Sequence, residues 1–123
     1  MNTKLQGNVG LGQAIAYYTS LGYVVSLPLN DSQKYDLIYD DGKLWRVQVK
    51  TSFHKAPSGS FIVQLRQKGG SSRSKLVRLF DPKSADFIFV FCEDGTRYLI
   101  PCSTVKCTSD MTLGPKYAKY QLT

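Results

Sequence analysis

The chain is short of cysteine, has a single histidine and lacks any long apolar run, and each shortage narrows what it can be. Cys92, Cys102 and Cys107 are odd in number, which argues against a disulfide framework, and they form no pairwise metal motif. Cys92 reads as a buried strand residue and the other two as incidental thiols. His54, on a Ser-Phe-His-Lys loop, reads as a surface residue rather than a catalytic base. No segment approaches the roughly 20 apolar residues that a membrane-spanning helix needs, and no signal peptide is expected ahead of the fold. The expected location is cytoplasmic, with no membrane partner. Acidic residues are scarce as well: nine Asp and Glu against sixteen Lys and Arg leave a net charge of +7.

What is present fits one soluble domain spanning 1–123, since 123 residues with 42% hydrophobic content can bury one core. Asn8 reads as the cap of a helix whose apolar positions Val9, Leu11, Ile15, Ala16 and Leu21 favour one side, with Gly22 ending it. Tyr23 to Leu27 reads as a first strand. Phe61 to Arg66 alternates as a long strand, and Asp81-Pro82 suggests the cap and first position of a short helix leading into the strand Phe87 to Phe91. Glu93-Asp94-Gly95 turns that strand back into Arg97 to Ile100. Phe87, Phe89 and Phe91 read as core rather than a base-stacking platform, because alternate positions of a buried strand explain them. The whole is expected to be α/β, a central mixed sheet flanked by helices.

Chemistry concentrates around the turn Asp41-Gly42. A two-residue loop there would set Asp36 opposite Val47 and mix polar with apolar residues on each face. A three-residue loop, Asp40-Asp41-Gly42 with Gly42 left-handed, separates the faces. Tyr35, Leu37, Tyr39, Trp45, Val47 and Val49 then share one face; Asp36, Ile38, Leu44, Arg46, Gln48 and Lys50 share the other. In that register Asp36 lies across from Arg46 and diagonal to Gln48, within reach of a shared ion. Asp40 and Asp41 are first of all turn formers.

At these residues the chain resembles the PD-(D/E)XK nucleases, and within them the small homing endonucleases encoded by group I introns, which also resemble archaeal Holliday junction resolvases. The resemblance begins at Gly7-Asn8-Val9-Gly10, continues through Gly22-Tyr23 and Pro28-Leu29-Asn30-Asp31-Ser32, is densest from Tyr35 to Thr51, and includes the hairpin Asp86 to Pro101. Two departures stand out. Gln48 takes the place of the usual acid two residues before the lysine, and Leu11 stands in the helical stretch where many relatives carry a glutamate. A carboxamide oxygen can ligate a hard cation but brings no charge, so the expected metal affinity is lowered.

The resemblance implies a metal-dependent endonuclease hydrolysing double-stranded DNA, with Mg²⁺ replaceable by Mn²⁺, and a site-specific double-strand break as the biological act. Asp36, Gln48 and the backbone carbonyl of Val49 would hold the metal, and Lys50 would stabilise the attacking water. Gln13, Gln64 and Asp31 are auxiliary candidates. Six basic residues, Lys55, Arg66, Lys68, Arg73, Lys75 and Arg78, interleave with Gly69-Gly70 and Ser71-Ser72, and with Arg46 they are the expected DNA contacts, against the alternative of a solvated loop. Cutting both strands implies a homodimer or homotetramer, for which Met111, Leu113, Tyr117 and Tyr120 are either the surface or part of the core. A structure-specific resolvase and a DNA-binding module without activity are the alternatives.

Overall fold

The computed structural model describes residues 1–30, 32–68 and 77–123, the side chains of 67, 68, 77 and 78 excepted. Its first element, α1 (Thr3–Ser20), starts earlier than the sequence suggests. Asn2, not Asn8, is the cap: its side chain accepts the Leu5 N–H at 2.9 Å, satisfying one of the donors a helix start leaves orphaned. At the other end Gly22, with φ +83°, supplies the left-handed residue that ends the helix. The stripe that packs is Gly10, Ala14 and Tyr18, spaced four apart, whereas Ala16 and Leu21 face solvent. At Gly10 a small residue is required because the helix lies flush on the sheet there. A Cβ at Gly10 would fall 2.5 Å from Thr51 Cγ2 and 3.4 Å from Val49 Cγ1.

The strands are β1 (Val24–Ser26), β2 (Leu37–Asp40), β3 (Leu44–Ser52), β4 (Ile62–Gln64), β5 (Gln67–Lys68), β6 (Val77–Arg78), β7 (Phe87–Cys92), β8 (Arg97–Pro101), β9 (Asp110–Thr112) and β10 (Gln121–Leu122). Six of them form the central sheet in the order β1-β2-β3-β7-β8-β10, mixed because β3 and β7 run parallel while the other neighbours are antiparallel. β4 is not in it. Phe61–Arg66 contributes only a short strand, which pairs with β9. Alternation marks a half-buried strand without saying which partner it takes. Asp81-Pro82 opens a turn rather than a helix: Asp81 Oδ1 accepts the Lys83 N–H at 2.9 Å, a local bond that closes the turn.

Each face of the sheet carries its own core. On one, Ala14 and Tyr18 of α1 meet Leu37, Tyr39, Val47 and Phe89, with the Tyr18 and Tyr39 rings stacked at 4.3 Å. The Phe87, Phe89 and Phe91 row belongs here, as core. On the other, Ile88, Val90, Cys92 and Ile100 pack under Val63, Met111, Leu113 and Tyr117, so β4, β9 and the 3₁₀ segment Pro115–Tyr120 form the covering layer. Met111, Leu113 and Tyr117 are therefore interior, and Tyr120 packs against them. They are not an assembly surface. Tyr35, ahead of β2, joins this second core rather than the Leu37 face, and Cys102 is as buried as Cys92.

Candidate active site

The hairpin β2–β3 separates its faces as the residue pattern requires, but its register differs by two residues from the expected one. Asp40 pairs with Leu44 and Ile38 with Arg46, so the three-residue loop is Asp41-Gly42-Lys43. A shift of two preserves side-chain parity. The physical reason lies in the turn: Asp40 and Asp41 carboxylates accept the N–H groups of Gly42 and Lys43 at 2.8 and 3.2 Å, and Gly42 adopts φ +108°. Both acids work as turn formers. Asp36 lies outside the paired residues and donates its N–H to the carbonyl of Val47, the residue Leu37 already pairs with, at 2.8 Å, so the strand bulges at Asp36 and the acid is not opposite Arg46.

The regular ladder stops at Leu37, and the Asp36 carboxylate takes over: Oδ2 accepts the Val49 N–H at 2.7 Å. N–H and C=O of one residue in an extended strand point to the same edge, so the Val49 carbonyl also faces the side from which Asp36 approaches. Gln48 and Lys50 follow on the sheet face opposite α1, paired with Ile88 and Val90 of β7. Gln48 is only 5% exposed, and its Oε1 is buried with no hydrogen-bond partner. Among the described residues the Tyr18 hydroxyl is the only other buried side-chain oxygen in that state. Crowding by protein atoms raises the Asp36 pKa above the ordinary carboxylate value, opposed in part by the Val49 N–H and by Lys50. Burial likewise lowers the Lys50 pKa, with Asp36 pulling the other way. An acid and a base whose charged forms are both penalised by desolvation, and which partly rescue each other, is what a reactive centre looks like electrostatically.

The donor set suits a hard cation of modest affinity. It comprises one carboxylate, one unpartnered carboxamide oxygen and one strand carbonyl, all oxygen. Among the described residues no three His, Cys, Asp or Glu side chains gather into a metal cluster. Leu11 lies with Asp36 along one recess, confirming that α1 presents an apolar residue where an acid would add charge.

Other candidates divide. Gln64 lines a recess of about 300 Å³ together with Lys50 and His54, which is exposed. Gln6 lines it too. Sequence reading missed Gln6 because the helix had been started at Asn8; the Asn2-Thr3 pair was the available signal. Gln13 is half-buried on α1 and lies in none of these recesses. Arg46 is engaged structurally, 3.6 Å from the Asp86 carboxylate and donating to the Lys83 carbonyl at 3.2 Å. Arg66 donates to the Ser109 hydroxyl, and Lys55 sits 5.0 Å over the Phe61 ring. Asp31, Arg73 and Lys75, and the side chains of Lys68 and Arg78, lie outside the described residues.

An aspartate whose carboxylate holds the Val49 N–H of the central strand, with Gln48 and Lys50 on either side of that residue, is a constellation suited to a phosphodiester-cleaving nuclease. Residues 1–120 match the family model of the PD-(D/E)XK endonucleases, and the chain belongs to that family. Among solved structures it is similar to a bacterial homing endonuclease, I-Ssp6803I, at 26% identity and a TM-score of 0.85, over 98% of this chain and 89% of that one. A comparison with curated proteins returned no match. No helix among the described residues is long and apolar enough to cross a membrane.

Proposed function

We propose that the protein is a metal-dependent endonuclease that cuts double-stranded DNA at specific sites, a homing endonuclease working as a homodimer or homotetramer. The observation that carries this reading is the buried Gln48 Oε1, left without a protein donor next to Val49, whose N–H the Asp36 carboxylate holds. A buried acceptor with no partner costs about 1–3 kcal/mol, and a cation is the partner the neighbouring carboxylate and carbonyl would select. Asp36, Gln48 and the Val49 carbonyl would hold Mg²⁺, for which Mn²⁺ could substitute. When bound, the cation supplies positive charge against the phosphate oxygens and acidifies water.

The rest is the work of the chain. Asp36 is oriented by the Val49 N–H, so its free oxygen presents at a fixed angle. Lys50, on the same face, donates to phosphate oxygens as negative charge builds on them, and orients the attacking water. The net charge of +7 favours the polyanion. A single centre cuts one strand, so a double-strand break calls for two copies on one site.

Two other readings share the fold: a junction-specific resolvase, and a DNA-binding module that has lost activity, which the lone carboxylate favours. One assay separates them. Supercoiled plasmid, linear duplex carrying the gene's own insertion region, and four-way junctions are incubated with Mg²⁺ or Mn²⁺. Site-specific double-strand cutting of duplex is expected. Cutting of junctions alone supports the resolvase, and binding without cutting supports the inactive module.

A further inference from the structure

Beside Asp36 a recess of about 260 Å³ opens under the loop that joins β1 to β2. Its lining joins apolar side chains, among them Leu27 and Leu29, to two carboxamides, Asn30 and Gln33. Leu27 and Leu29 are 53% and 108% exposed, so neither contributes to the core. A fully exposed leucine next to a catalytic carboxylate has no role in stability that burial could explain.

The carboxamides are tied together. Asn30 Oδ1 accepts from the Ser32 hydroxyl at 2.9 Å and from Gln33 Nε2 at 3.4 Å. Asn30 Nδ2 then remains as a donor and Gln33 Oε1 as an acceptor. Turning both amides over exchanges these roles and again leaves one donor and one acceptor. Within a single base, a neighbouring acceptor and donor occur on the major-groove edge of adenine, at N7 and N6. Guanine offers two acceptors there, cytosine a donor, and thymine an acceptor beside a methyl group that apolar side chains contact.

We propose that this recess reads an A·T pair flanking the scissile phosphate, with Asn30 and Gln33 on the adenine edge and Leu27 and Leu29 against the thymine methyl. The subsite rests on the nuclease reading above. Because Asp36 lines the same recess, the base pair read there would be one next to the cut.

The test is cleavage of a plasmid library randomised across the target, followed by sequencing of the ends. Wild type is expected to enrich A·T at one position beside the cut. Asn30→Ala/Gln33→Ala should cut that preference by roughly five- to a hundredfold while leaving the other positions unchanged. Leu29→Ser should weaken discrimination of thymine from uracil there. If the double variant stops cleaving, wild type acting on duplex with 7-deazaadenine at that position decides: slowed cleavage supports the subsite, and an unchanged rate overturns it. A wild-type profile flat or rich in G·C beside the cut, or a variant profile identical to wild type, overturns the subsite alone. Absence of any cleavage by wild type in Mg²⁺ or Mn²⁺ overturns the nuclease reading and the subsite with it.

Discussion

Gln48→Leu separates what the site needs for folding from what it needs for chemistry. Gln48 is buried on β3, and its Oε1 finds no donor. Leaving such an acceptor unsatisfied costs about 1–3 kcal/mol, and leucine fills a similar volume without a polar atom. In metal-free buffer the variant should therefore gain about 1–2 kcal/mol, a rise in Tm of roughly 3–8 °C for a domain of this size. The same change deletes a metal ligand. Cleavage should be lost, and the mass-action stabilisation that Mg²⁺ or Mn²⁺ gives wild type should shrink. Urea unfolding in chelator, then thermal melts over rising metal concentration, measure both effects. A loss of 1 kcal/mol or more in chelator would make Gln48 a structural residue, and equal metal responses in the two proteins would show that its oxygen is not kept for a cation.

The close seat of α1 on β3 and the charge state of Asp36 give two further expectations. Gly10→Ala gains helix propensity but drives a Cβ into the stiff Thr51 side chain, so a net loss of about 1–2 kcal/mol is expected. Adding Thr51→Ser, which removes the obstructing methyl, should restore most of it in denaturant melts; purely additive losses would contradict the contact. Because desolvation raises the Asp36 pKa in the metal-free protein, protons should compete with the cation, and metal affinity should start to fall at a pH above the ordinary carboxylate range. A carboxyl whose folded pKa exceeds its unfolded value adds stability that is present in full below the unfolded value and is lost as pH rises through the folded one. Asp36→Asn should thus be more stable than wild type near neutral pH, with the advantage fading in acid; melts showing an advantage that grows on acidification would reverse the sign.

The faces of the paired hairpin were legible because parity alone assigns them: Leu37, Tyr39, Trp45 and Val47 fall together in any register that keeps the apolar residues inward, whereas parity fails at Asp36, where Tyr35 passes to the other core. The register itself was not. Asp40 and Asp41 both cap backbone donors in the loop, and choosing which of them opens it depends on hydrogen bonds the residue pattern does not reveal. The start of α1 was not legible because Asn2 and Asn8 are both suitable caps and only the Asn2 side chain meets a free helix donor, while Gly10 inside the helix is required by the approach to Thr51. The length and partner of β4 were not legible, because the layer over the second face is built from short strands and a 3₁₀ segment whose partners are distant in the chain; the tail, open between surface and core, belongs to that layer. Nor does sequence say that Gln48 Oε1 lacks a donor, which is a property of packing.

Metal-dependent cleavage by Asp36→Ala and Lys50→Ala tests the central claim most directly. Each protein, checked for folding by circular dichroism, is incubated with Mg²⁺ and plasmid carrying the target, with a chelator control. Wild type should cut only with the metal, and either substitution should slow cutting by roughly a hundredfold or more with the fold intact. Cutting by either folded variant at near the wild-type rate would remove these residues from the active site.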